Sequence, residues 1–297
     1  MTQPRDPDRP DPYGGAAPPP TPLGSPVPPP AHDPDSAEAF AAELEALGYI
    51  PPDPDEPPPL DLWASVGDVL PWGSLLLLFS WAAMYLLLGA HGALTDSGAM
   101  FAWGANATQM PLRSGAWRWL ASTFLHAGAA HLFFNAVTLA VLGPAVERIF
   151  ARWGFWIVFV VGGAFASFAS MLAREAFASG QSLSVGGSGA LFALGGALLV
   201  VVWRLRHRLA VARSRALVAS VLYLIAPGFA AGYAHPGTDN VAHAGGLIAG
   251  LVLGALLPTD ARLEGRGPNA ALKALAFGCV LALLASLALA VKSGLAR

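Results

Sequence analysis

From residue 71 onward the chain is a succession of apolar runs parted by short polar or basic breaks. Seven runs read as helices, at about 73–91, 131–149, 154–173, 187–203, 215–234, 240–257 and 271–291. A hydrocarbon core of ~30 Å calls for ~20 predominantly apolar residues per helix. The pattern therefore predicts an all-α polytopic membrane bundle of seven transmembrane helices. One run falls short. From Ser188 to Trp203 there are 16 residues before Arg204, which at ~1.5 Å per residue reach only ~24 Å. That helix is expected to start below the membrane surface, with Ser188 at its N-terminus. Irregular backbone at such depth is tolerated only against protein or water, so Gly186-Gly187 is expected to floor an aqueous cavity.

Residues 1–70 show no such pattern. They hold 19 of the 26 prolines, in clusters such as Pro18-Pro19-Pro20 and Pro57-Pro58-Pro59. This composition cannot bury a core and predicts a disordered, locally polyproline II tail. Phe40, Leu44 and Leu47 alone fall at helical spacing, giving a short helix at 36–47 with Asp35 or Ser36 as its cap, read as transient. The expected organisation is a tail (1–70), a six-helix core (71–257), and a linker with an extra C-terminal transmembrane helix (258–297). Residues 1–30 lack a basic segment followed by an apolar one, so the first transmembrane helix is expected to serve as its own insertion signal.

Charge sharpens the division. The tail carries 13 acidic residues against Arg5 and Arg9, whereas the remainder carries 15 basic against 6 acidic. With the tail cytoplasmic, ten basic residues, dense between Arg204 and Arg215, fall in inner loops and five in outer segments. This fits the positive-inside rule. The basic residues sit at helix ends with no patch of interleaved aromatics, so nothing suggests a nucleic-acid partner and none is expected. The single cysteine, Cys279, allows neither an intrachain disulfide nor a thiolate metal site. The excess of Arg over Lys, with the Ala and Gly load, points to a bacterial inner membrane. Between the first two helices lies a 39-residue loop, Gly92 to Ala130, whose Trp117-Arg118 and Phe124-Leu125-His126 suit an interfacial segment.

Polar groups on three helices stand where lipid would forbid them. His131 and Asn135, four apart, share one helix face; Ser188 opens the fourth helix; His243 lies near the start of the sixth. Gly195 and Gly196 share the face of Ser188, and Gly246 and Gly250 that of His243. Glycine-lined faces let helix backbones approach closely, so Ser188 is expected opposite His243 as nucleophile and general base. Asn135, His131 and the Ser188 backbone N–H could hold a tetrahedral oxyanion. No acidic residue lies on these helices, which points to a Ser-His dyad rather than a triad. A metal site from His126, His131 and His243 lacks a carboxylate and the His-Glu-x-x-His spacing. The Gly-x-Ser-x-Gly elbow of soluble hydrolases fails because position 190 is Ala. A transporter would carry ionisable residues along a path through the bilayer, and here they cluster near one side.

Gly186-Gly187-Ser188-Gly189, the Ala-His-x-x-Gly-x-x-x-Gly pattern from Ala242 to Gly250, His131 with Asn135, and Trp117-Arg118 together resemble the rhomboid family of intramembrane serine proteases, over residues 72–257. The resemblance implies Ser188 as nucleophile, His243 as base, and His131 and Asn135 as oxyanion donors, with His126 near the cavity. It implies cleavage of transmembrane segments of other proteins within the lipid bilayer, without metal or cofactor. Phe192 stands where many bacterial members carry a tyrosine that packs on the catalytic histidine, so stacking is expected without the hydroxyl. The seventh helix makes this a six-plus-one form whose core is not expected to need it. The alternative is an inactive relative that binds client helices without cutting them. Substrate entry is expected sideways, past the second and fifth helices, with Pro227-Gly228 loosening the fifth.

Overall fold

The computed structural model describes residues 70–108, 115–177, 183–209, 211–234, 237–260 and 268–297, together with Glu43. The expected disorder of the tail and, Glu43 apart, the helix at 36–47 lie outside the described residues. In chain order the elements are α1 (Trp72–Ala90), α2 (Ser97–Ala102), β1 (Asn106–Ala107), α3 (Arg118–Ala121) continued by a 3-10 turn (Ser122–Phe124), α4 (Ala129–Ile149), α5 (Ala151–Phe177), β2 (Leu183–Ser184), α6 (Ser188–Arg204), α7 (Val211–Ala234), α8 (Asn240–Leu256) and α9 (Ala270–Leu295). The seven apolar runs correspond to α1, α4, α5, α6, α7, α8 and α9, each within four residues at either end. Five of these, all but α6 and α8, contain stretches long and apolar enough to cross a membrane. The other two have only 17 residues each.

Those two short helices form the centre. They run parallel in register, with Gly246 against Gly189, Gly250 against Ala193 and Gly254 against Ala197, so closely that a methyl on any of the three α8 glycines would strike the α6 backbone. Lipid tails are as apolar as side chains, so such contact, rather than hydrophobic burial, drives helix association in a membrane. Two parallel helices cannot be joined by a tight turn, and α7 makes the return. Because α6 and α8 also end together, Arg204 at the foot of α6 donates to the carbonyls of Gly254 (2.8 Å) and Leu257 (2.9 Å). This satisfies acceptors that a helix C-terminus leaves free. Helix α5 covers the pair through the same small-residue logic, Gly162 lying on Ala193 and Gly245 beside Ala166 and Ala169.

Helices α1 and α4 are tied by a buried carboxylate. Glu147 near the end of α4 accepts from the backbone N–H groups of Gly73 (2.9 Å) and Ser74 (2.7 Å) and from Ser74 Oγ (2.6 Å). A negative charge suits a helix N-terminus, whose first N–H groups have no partner within the helix. Helix α7 is held far less firmly: 11% of its apolar stretch is buried, against 56% for α5.

The first loop is an ordered structure where described. Arg118 donates to the carbonyls of Phe101 and Ala105 (the latter at 3.3 Å), and its guanidinium lies 4.0 Å from the Phe101 ring centroid and 4.5 Å from that of Trp117. Its strand β1 pairs antiparallel with β2, Asn106 opposite Ser184 and Ala107 opposite Leu183. The all-α pattern did not foresee this ladder, since two residues are too few to show a period. Helix α9 packs on α5 and on this loop: Trp103 sits on Gly294, Ala290 reaches Gly104, and Arg297 pairs with Asp96 at 3.0 Å.

Candidate active site

Ser188 is the first residue of α6, and the two glycines before it decide where it stands. Gly186 has φ +125°, a conformation that side-chain-bearing residues rarely adopt, and its N–H donates to the Ser122 carbonyl at 2.9 Å. A Cβ there would lie 2.6 Å from His131 Cε1 and 3.5 Å from Asn135 Nδ2. Glycine thus brings the α6 lead-in directly against the polar face of α4. Gly187 abuts the Trp81 ring of α1 in the same way.

His243 lies in the first turn of α8, whose N-cap is Asp239. The Asp239 side chain accepts from Ala242 N at 2.9 Å, and its carbonyl accepts from His243 N at 3.1 Å. Because α6 and α8 are parallel and close, the two first turns share one depth, and His243 Nε2 stands 2.9 Å from Ser188 Oγ. The imidazole is buried between aromatic rings. Phe192, one turn along α6 from Ser188, stacks on it with centroids 4.3 Å apart and planes 8° apart. Phe229 of α7 meets it edge-on at 5.9 Å and 89°. Among the described residues no side chain hydrogen-bonds His243 Nδ1, and the Gly228 backbone of α7 lies beside the ring.

On α4, Asn135 is buried with no partner for its Nδ2 among the described residues. The His131 ring meets that of His126 edge-on at 5.1 Å, and Trp81 meets His126 at 5.1 Å from the other side. His126 is fully buried just ahead of α4, and burial, with His131 beside it, pushes its imidazole down to about 3. A row of ring and amide nitrogens thus leads from Trp81 toward Gly186.

Ser188, His243, His131, Asn135, Phe192, His126, Gly186 and Gly187 therefore gather at one end of the bundle. Gly246 and Gly250 stand apart, in the α6–α8 seam. Trp117 and Arg118 lie in the loop that supports Ser122, not beside Ser188. Sequence reasoning missed Trp81 and Phe229, which are indistinguishable along the chain from other apolar positions. It also passed over Asp239, although an acidic residue one turn ahead of His243 is a legible N-cap signal.

A hydroxyl and an imidazole at hydrogen-bond reach, beside an unpartnered amide donor, can carry out nucleophilic attack with general-base assistance. The class that the fold defines is an integral membrane helical bundle, in which Ser188 and His243 meet at the heads of two short parallel helices. Residues 113–259, which contain α3 through α8, match the model of the Rhomboid domain. The chain is 35% identical over 174 residues to "Rhomboid protease GluP" of Bacillus subtilis, covering 59% of this chain and 32% of that one. It is 34% identical over 144 residues to "RHOMBOID-like protein 5" of Arabidopsis thaliana (48% and 44%), and 25% identical over 205 residues to "Rhomboid protease AarA" of Providencia stuartii (64% and 73%). The chain belongs to the rhomboid family. It spans about a third of the length of GluP and under half of that of RHOMBOID-like protein 5.

Proposed function

We propose that this protein is an intramembrane serine endopeptidase that cuts transmembrane segments of other membrane proteins through Ser188 and His243. The observation that carries the reading is the 2.9 Å approach of His243 Nε2 to Ser188 Oγ, beside the buried amide of Asn135. As Oγ attacks the scissile carbonyl carbon, Nε2 takes its proton. The carbonyl oxygen becomes an oxyanion that accepts from Asn135 Nδ2, from the His131 ring and from the Ser188 backbone N–H at the head of α6. Collapse breaks the C–N bond while the imidazolium returns the proton to the leaving amine. Water, deprotonated by the same imidazole, then attacks the acyl ester and releases the acid and the free serine.

A substrate helix would enter from lipid between α4 and α7. The sparse burial of α7, the exposed Phe133 and Phe134 of α4, and Pro227 inside α7 support this route. Gly228 borders Phe192 and His243, so displacing α7 there would open the site. The basic residues argue for a cytoplasmic tail and for cleavage near the outer face of a bacterial inner membrane. No residue role in this reading calls for a metal or cofactor.

The test is to incubate detergent-purified protein with a transmembrane reporter, with and without chelator. Cleavage should survive chelation and disappear in Ser188→Ala and His243→Ala. A competing reading, a client-binding relative without activity, predicts no cleavage by the wild type and no labelling of Ser188 by a fluorophosphonate. Equal cutting by wild type and Ser188→Ala would end the protease reading.

A further inference from the structure

His243 occupies an awkward place for a base. It lies in the first turn of α8, where unpaired N–H groups and the helix dipole present partial positive charge, and such a site disfavours the imidazolium that proton transfer must create. No side chain among the described residues hydrogen-bonds its Nδ1, and the Gly228 backbone of α7 lies beside the ring. The acidic side chain nearest in the helix is Asp239, one turn away, and both of its oxygens are engaged. Oδ1 accepts from Ala242 N at 2.9 Å, and Oδ2 accepts from the hydroxyl of Ser170, a wholly buried residue of α5. The carboxylate thus bridges the head of α8 to α5 and is fixed in direction.

We propose that Asp239, anchored by Ser170, is the positioning and counter-charge residue for His243. It sets the rotation of the first turn of α8 against α5, and it stabilises the imidazolium formed when His243 takes the Ser188 proton. This inference rests on the protease reading. Asp239 acts through the backbone and through its field, not by touching the imidazole. The other charged or titratable groups around the pair are His131, facing from α4, and Arg174 of α5. Arg174 donates from Nε to the Ser170 carbonyl at 3.3 Å and lies within electrostatic reach of Asp239. From α6 and α7 the imidazole meets Ser188, Phe192, Phe229 and the backbone of Gly228. Arg174 reduces the field of Asp239, so the expected benefit is modest. A unit charge about one helical turn (~5.4 Å) from the imidazolium, at an effective dielectric of about 20, is worth on the order of tenfold in rate once so reduced.

The experiment compares Asp239→Asn, Asp239→Ala and Ser170→Ala in the full-length protein. It reads melting temperature, kcat and KM on a transmembrane reporter, and the rate of Ser188 labelling by a fluorophosphonate. Asn caps helices as well as Asp does, so Asp239→Asn removes the charge and keeps the cap. The expected result is a wild-type melting temperature and KM for Asp239→Asn, with kcat and labelling rate both lower on the order of tenfold. Ser170→Ala should lose a few-fold in kcat, and Asp239→Ala should lose melting temperature as well. Wild-type kcat and labelling in Asp239→Asn would overturn the proposal, leaving a simple cap, as would a fall in kcat matched by a fall in melting temperature. Failure of the protease reading looks different: the wild type itself would neither cut nor label, and the proposal would fall with it.

Discussion

Phe192 and His243 lie face to face, 4.3 Å between centroids and 8° between planes, and Phe229 closes the group by meeting Phe192 at 4.8 Å and 81°. The imidazole so stacked presents Nε2 to Ser188 Oγ at 2.9 Å. The stack also links the imidazole to Phe229 of α7, the least buried of the five long helices.

Aromatic pairs of this kind are worth about 0.5–1.5 kcal/mol beyond their buried area. Phe192→Ala should therefore lower kcat on a transmembrane reporter roughly tenfold by releasing the imidazole. Phe192→Tyr keeps the ring and should stay within about twofold of the wild type. Equal kcat values for the two variants would show that the stack does not orient the base.

Gly186 joins the first loop to the proposed oxyanion donors: its N–H donates to the Ser122 carbonyl, and a Cβ there would meet His131 and Asn135. Gly186→Ala adds a methyl 2.6 Å from His131 Cε1 at φ +125°. Strain of this type costs about 1–3 kcal/mol, and the donors are pushed aside as well. The expected outcome is a fall in kcat on the order of 10²-fold, comparable to losing one oxyanion donor, with the 2.9 Å Ser188–His243 pair intact. Asn135→Ala should cost a similar factor, and the double variant less than the product, because both act on one site. Full additivity in kcat would separate the two residues functionally.

Helix α9 packs against the first loop. Gly294 lies under Trp103, Ala290 meets Gly104, and Gly104 in turn touches Trp117 and Ala121. Gly294→Leu should wedge α9 away from the first loop and destabilise the protein by about 1–3 kcal/mol, the usual cost of overpacking. A lowered melting temperature in detergent would register this loss. Gly278, with open space around it, serves as the control on the same helix, and Gly278→Leu should leave the melting temperature unchanged. An unshifted Gly294→Leu would agree instead with the sequence-based expectation that the core has no need of this helix.

What could be read from the chain was what is local or periodic. Seven apolar runs marked the helices, because hydropathy and length act on contiguous residues. The short reach of the Ser188 run followed from counting. Gly246 and Gly250 on the face of His243 announced a close neighbour, since a missing Cβ matters only where another backbone arrives. Tertiary structure alone decided who that neighbour's neighbours are. Phe229 was chosen from many apolar positions by how α7 lies against α6 and α8, and the β1–β2 ladder was made by bringing two loops side by side. Asp239 was legible as a cap, but its grip on Ser170, 69 positions earlier, was not. A sequence records which face of a helix each residue occupies; the rotation and depth at which helices meet are set by the sum of many weak contacts, and those place one side chain within 3 Å of another.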